Sequence, residues 1–232
     1  MARAFARAVS RNNAQVLLAG RDMTDLSATA ADCTLQGAKV AQAVHFDARD
    51  ISTFKPIVDR ATELEGQINV AVFVGSMPAQ PEIDADPTLI AGTITDNYAG
   101  PAAFLQLVAP AMEERGGGTV AGVGSVAGDR GRIGNYVYGS AKAGFHTYLS
   151  GLRNRLTRSG GHVVTVKPGF VDTSMTWGIE GMFLVATPDK IAADILNAVE
   201  KRKDVIYTPG FWRLIMGIIK SIPERIFKKL SV

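Results

Sequence analysis

One cysteine, Cys33, stands in 232 residues, so no internal disulfide framework is possible. Such usage suits a reducing cytosol. No histidine lies near Cys33 in sequence, and the residue reads as packing rather than as a nucleophile. The three histidines, His45, His146 and His162, share no spacing that suits a metal, which leaves them structural roles. Charge of one sign is scarce. The formal net charge is +3, and no long Lys/Arg run occurs outside the C-terminus, which gives no argument for nucleic acid. Long apolar runs are missing too. Residues 1–7 mix charges into the start, unlike a secretory signal. The apolar stretch from Leu214 to Ile219 is far short of the ~20 residues needed to span a bilayer. What remains is a 47% hydrophobic chain, long enough for one soluble domain with a substantial core.

Apolar periodicity and capping residues divide that domain. A short helix is predicted over 2–11, with Phe5, Ala6 and Val9 as its apolar stripe. A buried strand follows over 15–19, ending in Gly20-Arg21-Asp22. Thr24 is expected to cap the next helix and Gly37 to end it. A strand over 40–46 ends at Asp47, and Ser52 is expected to cap a helix running to Leu64. Residues 68–74 are apolar and close on Gly75-Ser76. Residues 78–87 read as loop. A long helix from Leu89 to Glu114 stops at Gly116-Gly117-Gly118. A strand over 119–123, a helix over 138–156 and a strand over 163–166 come next. Thr187-Pro188 opens a further helix, and Val205-Ile206-Tyr207 forms a last strand. This alternation predicts an α/β fold, a doubly wound parallel sheet covered on both faces. In such sheets ligands bind at the carboxyl ends of the strands. Arg21, Asp47, Gly75, Ser125 and Pro168 all fall there.

The chemistry centres on Tyr138-Gly139-Ser140-Ala141-Lys142. A spacing of four sets Tyr and Lys on one helix face, about 5–6 Å apart at Cβ. A cation beside a phenol favours the phenolate, so the pair is expected to lower the phenol's pKa and let it trade a proton near neutral pH. That suits the interconversion of a carbonyl and an alcohol. Ser125 lies 13 residues upstream of Tyr138, Asn97 lies 28 before Ser125, and Pro168-Gly169 begins 30 after Tyr138. Each motif is weak alone; together their spacings resemble those of the short-chain dehydrogenase/reductase family over most of the chain. A serine hydrolase is excluded, since Ser125 follows Gly124 directly and lacks the Gly-x-Ser-x-Gly elbow.

The resemblance implies a role for each residue. Ser125 binds the substrate carbonyl, Tyr138 is the general acid or base, and Lys142 tunes it and binds the nicotinamide ribose. Asn97 holds a proton-relaying water. Arg21, standing where an acid favours NAD, points to NADP(H); a solvated loop arginine is the plainer alternative. Asp47-Ala48 corresponds to the adenine-binding pair, with helix capping as the other reading. Gly75 survives from the family's Asn-Asn-Ala-Gly. Pro168, Gly169, Val171 and Thr173 match the loop that contacts the nicotinamide. The family's first strand and its Gly-x-x-x-Gly-x-Gly turn have no counterpart. Residues 2–7 look like the helix that follows that turn, so the expectation is a start placed too late, with the missing strand lying between those at Gln15 and Ile68. The alternative is a short chain whose neighbouring strands close up.

The domain is taken as 1–209, with 210–232 as a basic amphipathic segment. Phe211, Leu214, Ile215, Ile218, Ile219, Ile222, Ile226, Phe227 and Leu230 recur along it at three- and four-residue steps among Arg213, Lys220, Arg225, Lys228 and Lys229. It suits peripheral contact with an anionic membrane, or equally a lid or subunit contact. The tail also resembles that of reductases of polyprenyl-phosphate-linked 2-keto-pentoses. The implied protein is a cytoplasmic NADP(H)-dependent oxidoreductase, a homodimer or homotetramer, on a small or lipid-linked carbonyl substrate. The rival reading is a catalytically silent member of the family that serves in binding or assembly.

Overall fold

A computed structural model describes residues 1–173, 176 and 184–230. The last two residues of the 210–232 segment therefore lie outside the description. The elements in chain order are α1 (Ala2–Ser10), β1 (Gln15–Gly20), α2 (Met23–Leu35), β2 (Val40–His45), α3 (Phe54–Glu63), β3 (Val70–Val72), α4 (Gln80–Ala85), α5 (Leu89–Ile94), α6 (Gly100–Glu114), β4 (Thr119–Val123), α7 (Tyr136–Leu156), β5 (His162–Pro168), α8 (Pro188–Glu200), β6 (Val205–Thr208), α9 (Trp212–Ser221) and α10 (Glu224–Phe227). Every pairing between strands is parallel. Helices α1, α2 and α8 cover one face and α3, α6 and α7 the other. The expected α/β architecture is therefore present.

The sheet itself comes in two pieces. Among the described residues β1 pairs with β2 alone, while β3-β4-β5-β6 form a second ladder in that order. Among the described residues no ladder joins β1 to β3, so these two strands do not close up on each other. The four-stranded piece carries the densest core. Val120, Leu149, Leu156 and Val163 are inaccessible between it and α6–α7, and Val164, Val166, Ile191 and Ile195 are equally so toward α8. The two-stranded piece has no fully buried strand residue. It is fastened by aromatic contacts: Phe46 stacks on Phe54 at 5.1 Å, and Phe104 of α6 meets both edge-on.

Four local expectations are corrected. Asp22, not Thr24, caps α2, its carboxylate accepting from the Asp25 N–H at 3.0 Å. Asp50 rather than Ser52 opens the next helical stretch, accepting from the Ser52 N–H, and a 3₁₀ turn over Ile51–Thr53 precedes α3. Carboxylates and hydroxyls compete for the same cap position, and here the ionised acceptor two residues earlier wins. Residues 80–85 are helical rather than loop; Pro81 sits in the first turn, where a missing N–H costs nothing. The long helix predicted over 89–114 is continuous but not uniform. A π-turn over Thr95–Ala99 separates α5 from α6, and the Gly100 N–H reaches back to the Thr95 carbonyl. Pro101 explains it, because proline has no N–H to offer the Asn97 carbonyl one turn earlier.

Candidate active site

Because every strand runs the same way, the residues just past their carboxyl ends gather along one edge. Ser125 follows β4 in extended backbone, and its hydroxyl oxygen accepts from the Ala127 N–H at 3.1 Å, starting a 3₁₀ turn over Val126–Asp129. Tyr138 and Lys142 project from the first turns of α7 toward it. The phenol is buried, and burial pushes its pKa up to about 12, opposed by a hydrogen bond from the Ser125 hydroxyl. Lys142 is buried as well, and burial brings its ammonium down to about 8. Its Nζ donates to the carbonyls of Val123 at 3.3 Å and Val74 at 3.4 Å. It stands 5.8 Å from the centre of the Tyr138 ring, over the ring face. The phenol's pKa is therefore raised in this state rather than lowered as expected, because burial outweighs the other influences on it.

Asn97 sits in the π-turn, fully buried. Its amide nitrogen donates to the Ser76 carbonyl at 2.6 Å and the Thr93 carbonyl at 2.9 Å. Its Oδ1 is buried with no protein partner. A Cβ on Gly75 would collide with that oxygen and come within 3.2 Å of the Lys142 nitrogen. Gly75 thus keeps open a small polar space between the two side chains, roomy enough only because glycine has no side chain. The four sequence-predicted catalytic residues gather at this edge as two neighbouring pairs, Ser125 beside Tyr138, and Asn97 facing Lys142 across the space that Gly75 leaves.

The remaining predicted residues spread along the same edge. Arg21 follows β1 and is exposed. Asp47 and Ala48 follow β2; the Asp47 carboxylate accepts from the Arg49 N–H at 2.9 Å, and Ala48 is buried so tightly against Gly100 that a Cβ there would meet its carbonyl. Pro168 ends β5. Gly169 leaves room for the buried Trp212 ring, and Val171, also buried, bridges to Ala186. The Thr173 N–H donates to the Thr176 hydroxyl at 3.2 Å. Sequence reasoning passed over three further partners. Arg49 makes a two-pronged bond to Asp96 at 2.7 and 2.8 Å, and Ser76 donates to the same carboxylate at 2.6 Å. This ties the β2 loop to the helix that carries Asn97. The only hint in the sequence is that Asp96 adjoins Asn97.

The sequence profile of the short chain dehydrogenases matches residues 1–182. The chain belongs to the short-chain dehydrogenase/reductase family. It is 31% identical over 218 residues to an uncharacterized oxidoreductase of Mycobacterium tuberculosis, covering 94% of this chain and 88% of that one. It is 28% identical over 244 residues to the ketoacyl reductase HetN of Nostoc, covering 98% and 84%. In fold it resembles a short-chain dehydrogenase of Sphingobium yanoikuyae solved with NADPH, at a TM-score of 0.78 and 24% identity over 95% of this chain and 91% of that one. As a member of this family the protein is an oxidoreductase. No helix among the described residues is long and apolar enough to cross a membrane.

Proposed function

We propose that this short-chain dehydrogenase interconverts a carbonyl and a secondary alcohol with NADP(H), Tyr138 serving as the acid or base. The observation that carries the reading is the buried Tyr138 phenol beside Ser125, backed by the buried Lys142 and the open Asn97 oxygen. The Ser125 hydroxyl and the phenol present adjacent donors to one substrate oxygen, which stabilises charge developing there. In reduction Tyr138 gives its proton to that oxygen; in oxidation it takes the proton back. Lys142 and Asn97 flank a space suited to a water that would return the proton to the phenol.

The residues fit a nicotinamide cofactor at one end. Lys142, held only by long bonds to two carbonyls, has donor capacity left for ribose hydroxyls, and Val171 and Thr173 line the loop beyond β5. When bound, the nicotinamide supplies or accepts the hydride. At the adenosine end Arg21, Asp47 and Ala48 are candidates, with Arg21 favouring a 2′-phosphate. The described residues include no glycine-rich turn for the pyrophosphate.

The tail supports a substrate held at a lipid surface, with a polyprenyl-linked keto-sugar as the proposed class. Its apolar stripe is divided. Trp212, Met216 and Phe227 are buried against the domain, while Leu214, Ile218 and Ile226 are 71%, 58% and 54% exposed beside Lys220, Arg225, Lys228 and Lys229. We further propose a homodimer through α6 and α7, whose outer faces leave Leu107 exposed. The test of the core reading is NADPH fluorescence titration combined with turnover of diketone and keto-sugar substrates. Saturable binding with turnover supports it; binding of neither NADPH nor NADH returns the chain to the silent-member reading.

A further inference from the structure

The structure assigns a second task to α7: we propose that His146, oriented by Asp129, is a positioning residue that fixes the Ser125 peptide against Tyr138. The inference rests on the catalytic reading of Ser125 and Tyr138 given above.

Tyr138, Lys142 and His146 recur at four-residue steps, so they form one stripe of α7. Each meets the end of β4 at a different atom. Tyr138 meets the Ser125 hydroxyl, Lys142 the Val123 carbonyl, and His146 the Ser125 backbone. The Ser125 N–H donates to His146 Nε2 at 3.3 Å. A nitrogen that accepts carries no proton, so the ring is neutral with its hydrogen on Nδ1. That nitrogen faces the Asp129 carboxylate at 3.8 Å. Two glycines make room for the ring. A Cβ at either Gly124 or Gly128 would run into it.

Asp129 is held in turn. Its side chain is 2% exposed, accepts from Lys167 Nζ of β5 at 2.5 Å and from the Tyr207 hydroxyl of β6 at 2.6 Å. Burial alone raises its pKa, but the bonds from Lys167 and Tyr207 outweigh it and leave the carboxylate ionised. The next residue pulls outward. Arg130 donates to the carbonyls of Ile219 and Ile222 at 2.6 and 2.7 Å and lies 3.7 Å over the Phe227 ring. The turn after Ser125 is therefore pinned inward by Asp129 and outward by Arg130. The Ser125 peptide, and with it the Cα–Cβ axis about which the hydroxyl turns, cannot shift away from Tyr138 without its N–H losing His146. His146, Asp129, Lys167, Tyr207 and Arg130 all act through the Ser125 turn, which is why their role is placement.

The test uses the full chain. Histidine-selective ¹⁵N NMR on the parent should show His146 with a bare Nε2 and a protonated Nδ1; the opposite tautomer overturns the proposal. His146→Leu keeps bulk and removes the acceptor. It should speed hydrogen exchange at the Ser125 amide and lower kcat for NADPH-linked reduction of diacetyl about 10–100-fold, a size set by small misplacement of a reacting group. The Kd for NADPH should stay within about twofold, since the cofactor contacts are elsewhere. His146→Gln, whose amide can accept from Ser125 and donate to Asp129, should restore most of the loss. If His146→Leu matches the parent in kcat and in Ser125 exchange while Tyr138→Phe is inactive, the positioning role is wrong and the catalytic reading stands. If Tyr138→Phe keeps the parent rate, the catalytic reading has failed and the positioning role goes with it. Should His146→Leu not fold, the tautomer of the parent decides.

Discussion

The two pieces of sheet differ in what surrounds them. In the four-stranded piece, Val163, Val164 and Val166 of β5 are inaccessible, wedged between α7 and α8. In the two-stranded piece, residues 15–18 of β1 and 40–44 of β2 are only half-buried. The first carries Ser125 and packs against the helix that bears Tyr138 and Lys142. The second carries Arg21, Asp47 and Ala48, proposed for the far end of the cofactor. Proton transfer demands positions fixed to fractions of an ångström, and a dense core supplies them. Gripping a nucleotide's adenosine end tolerates a looser frame, because charge and shape act over a longer range.

The largest effect that sharpens this contrast is Tyr138→Phe. Loss of an acid–base group should reduce kcat about 10³-fold, while NADPH titration gives a nearly unchanged Kd. Next comes a paired stability measurement. Leu149→Ala, in the four-stranded core, should cost about 2–5 kcal/mol by urea denaturation. Val16→Ala, on half-buried β1, should cost about 1 kcal/mol or less. Equal costs would break the contrast. In native-state hydrogen exchange, the β1 amides should likewise open well before those of β5.

Acid should act on the four-stranded side. Burial pushes the His146 pKa down to about 3, with Lys167 and Lys142 adding and Asp129 opposing. An unfolded histidine protonates near 6.5, so acid loads the unfolded chain with a proton that the folded one refuses. The sign follows: this contribution is intact above about pH 6.5 and declines as pH falls toward 3. The slope is at most about 1.4 kcal/mol per pH unit. His146→Gln should flatten it in thermal melts. The smallest effect is Arg21→Ala, which should weaken NADPH about tenfold and leave NADH nearly alone, read as a ratio of Kd values.

Most of the framework was legible from sequence because it rests on local rules. The Thr187 cap and Pro188 start of α8 stand as expected, with the Lys190 N–H on the Thr187 hydroxyl at 3.3 Å. So do the strand ends that bring Gly75, Ser125 and Pro168 to one edge. What escaped depends on distance in sequence. No spacing reveals that His146 reaches Ser125, or that Asp129 meets Lys167 and Tyr207, because β5 and β6 must first pair. The phenol's direction of shift escaped for a different reason. A four-residue step predicts proximity to the ammonium, but burial, which sequence shows poorly, decides the sign. The tail's stripe split between an inner and an outer face for the same reason: periodicity marks apolar positions, not which neighbour takes them.

The wide turn over Thr95–Ala99 has a consequence for how this helix can vary. It holds one residue more than an ordinary turn, and each residue of α-helix advances about 100° around the axis. Deleting any one position there, with Pro101 still in place, would shift the preceding residues by one step relative to α6, about 100° around the axis. Everything on its N-terminal side would then swing by roughly a quarter turn, and the Asn97 amide would point away from Lys142. Length is thus locked where composition is free: substitutions along the outer face should be absorbed, whereas a single-residue deletion should silence the site without unfolding the domain.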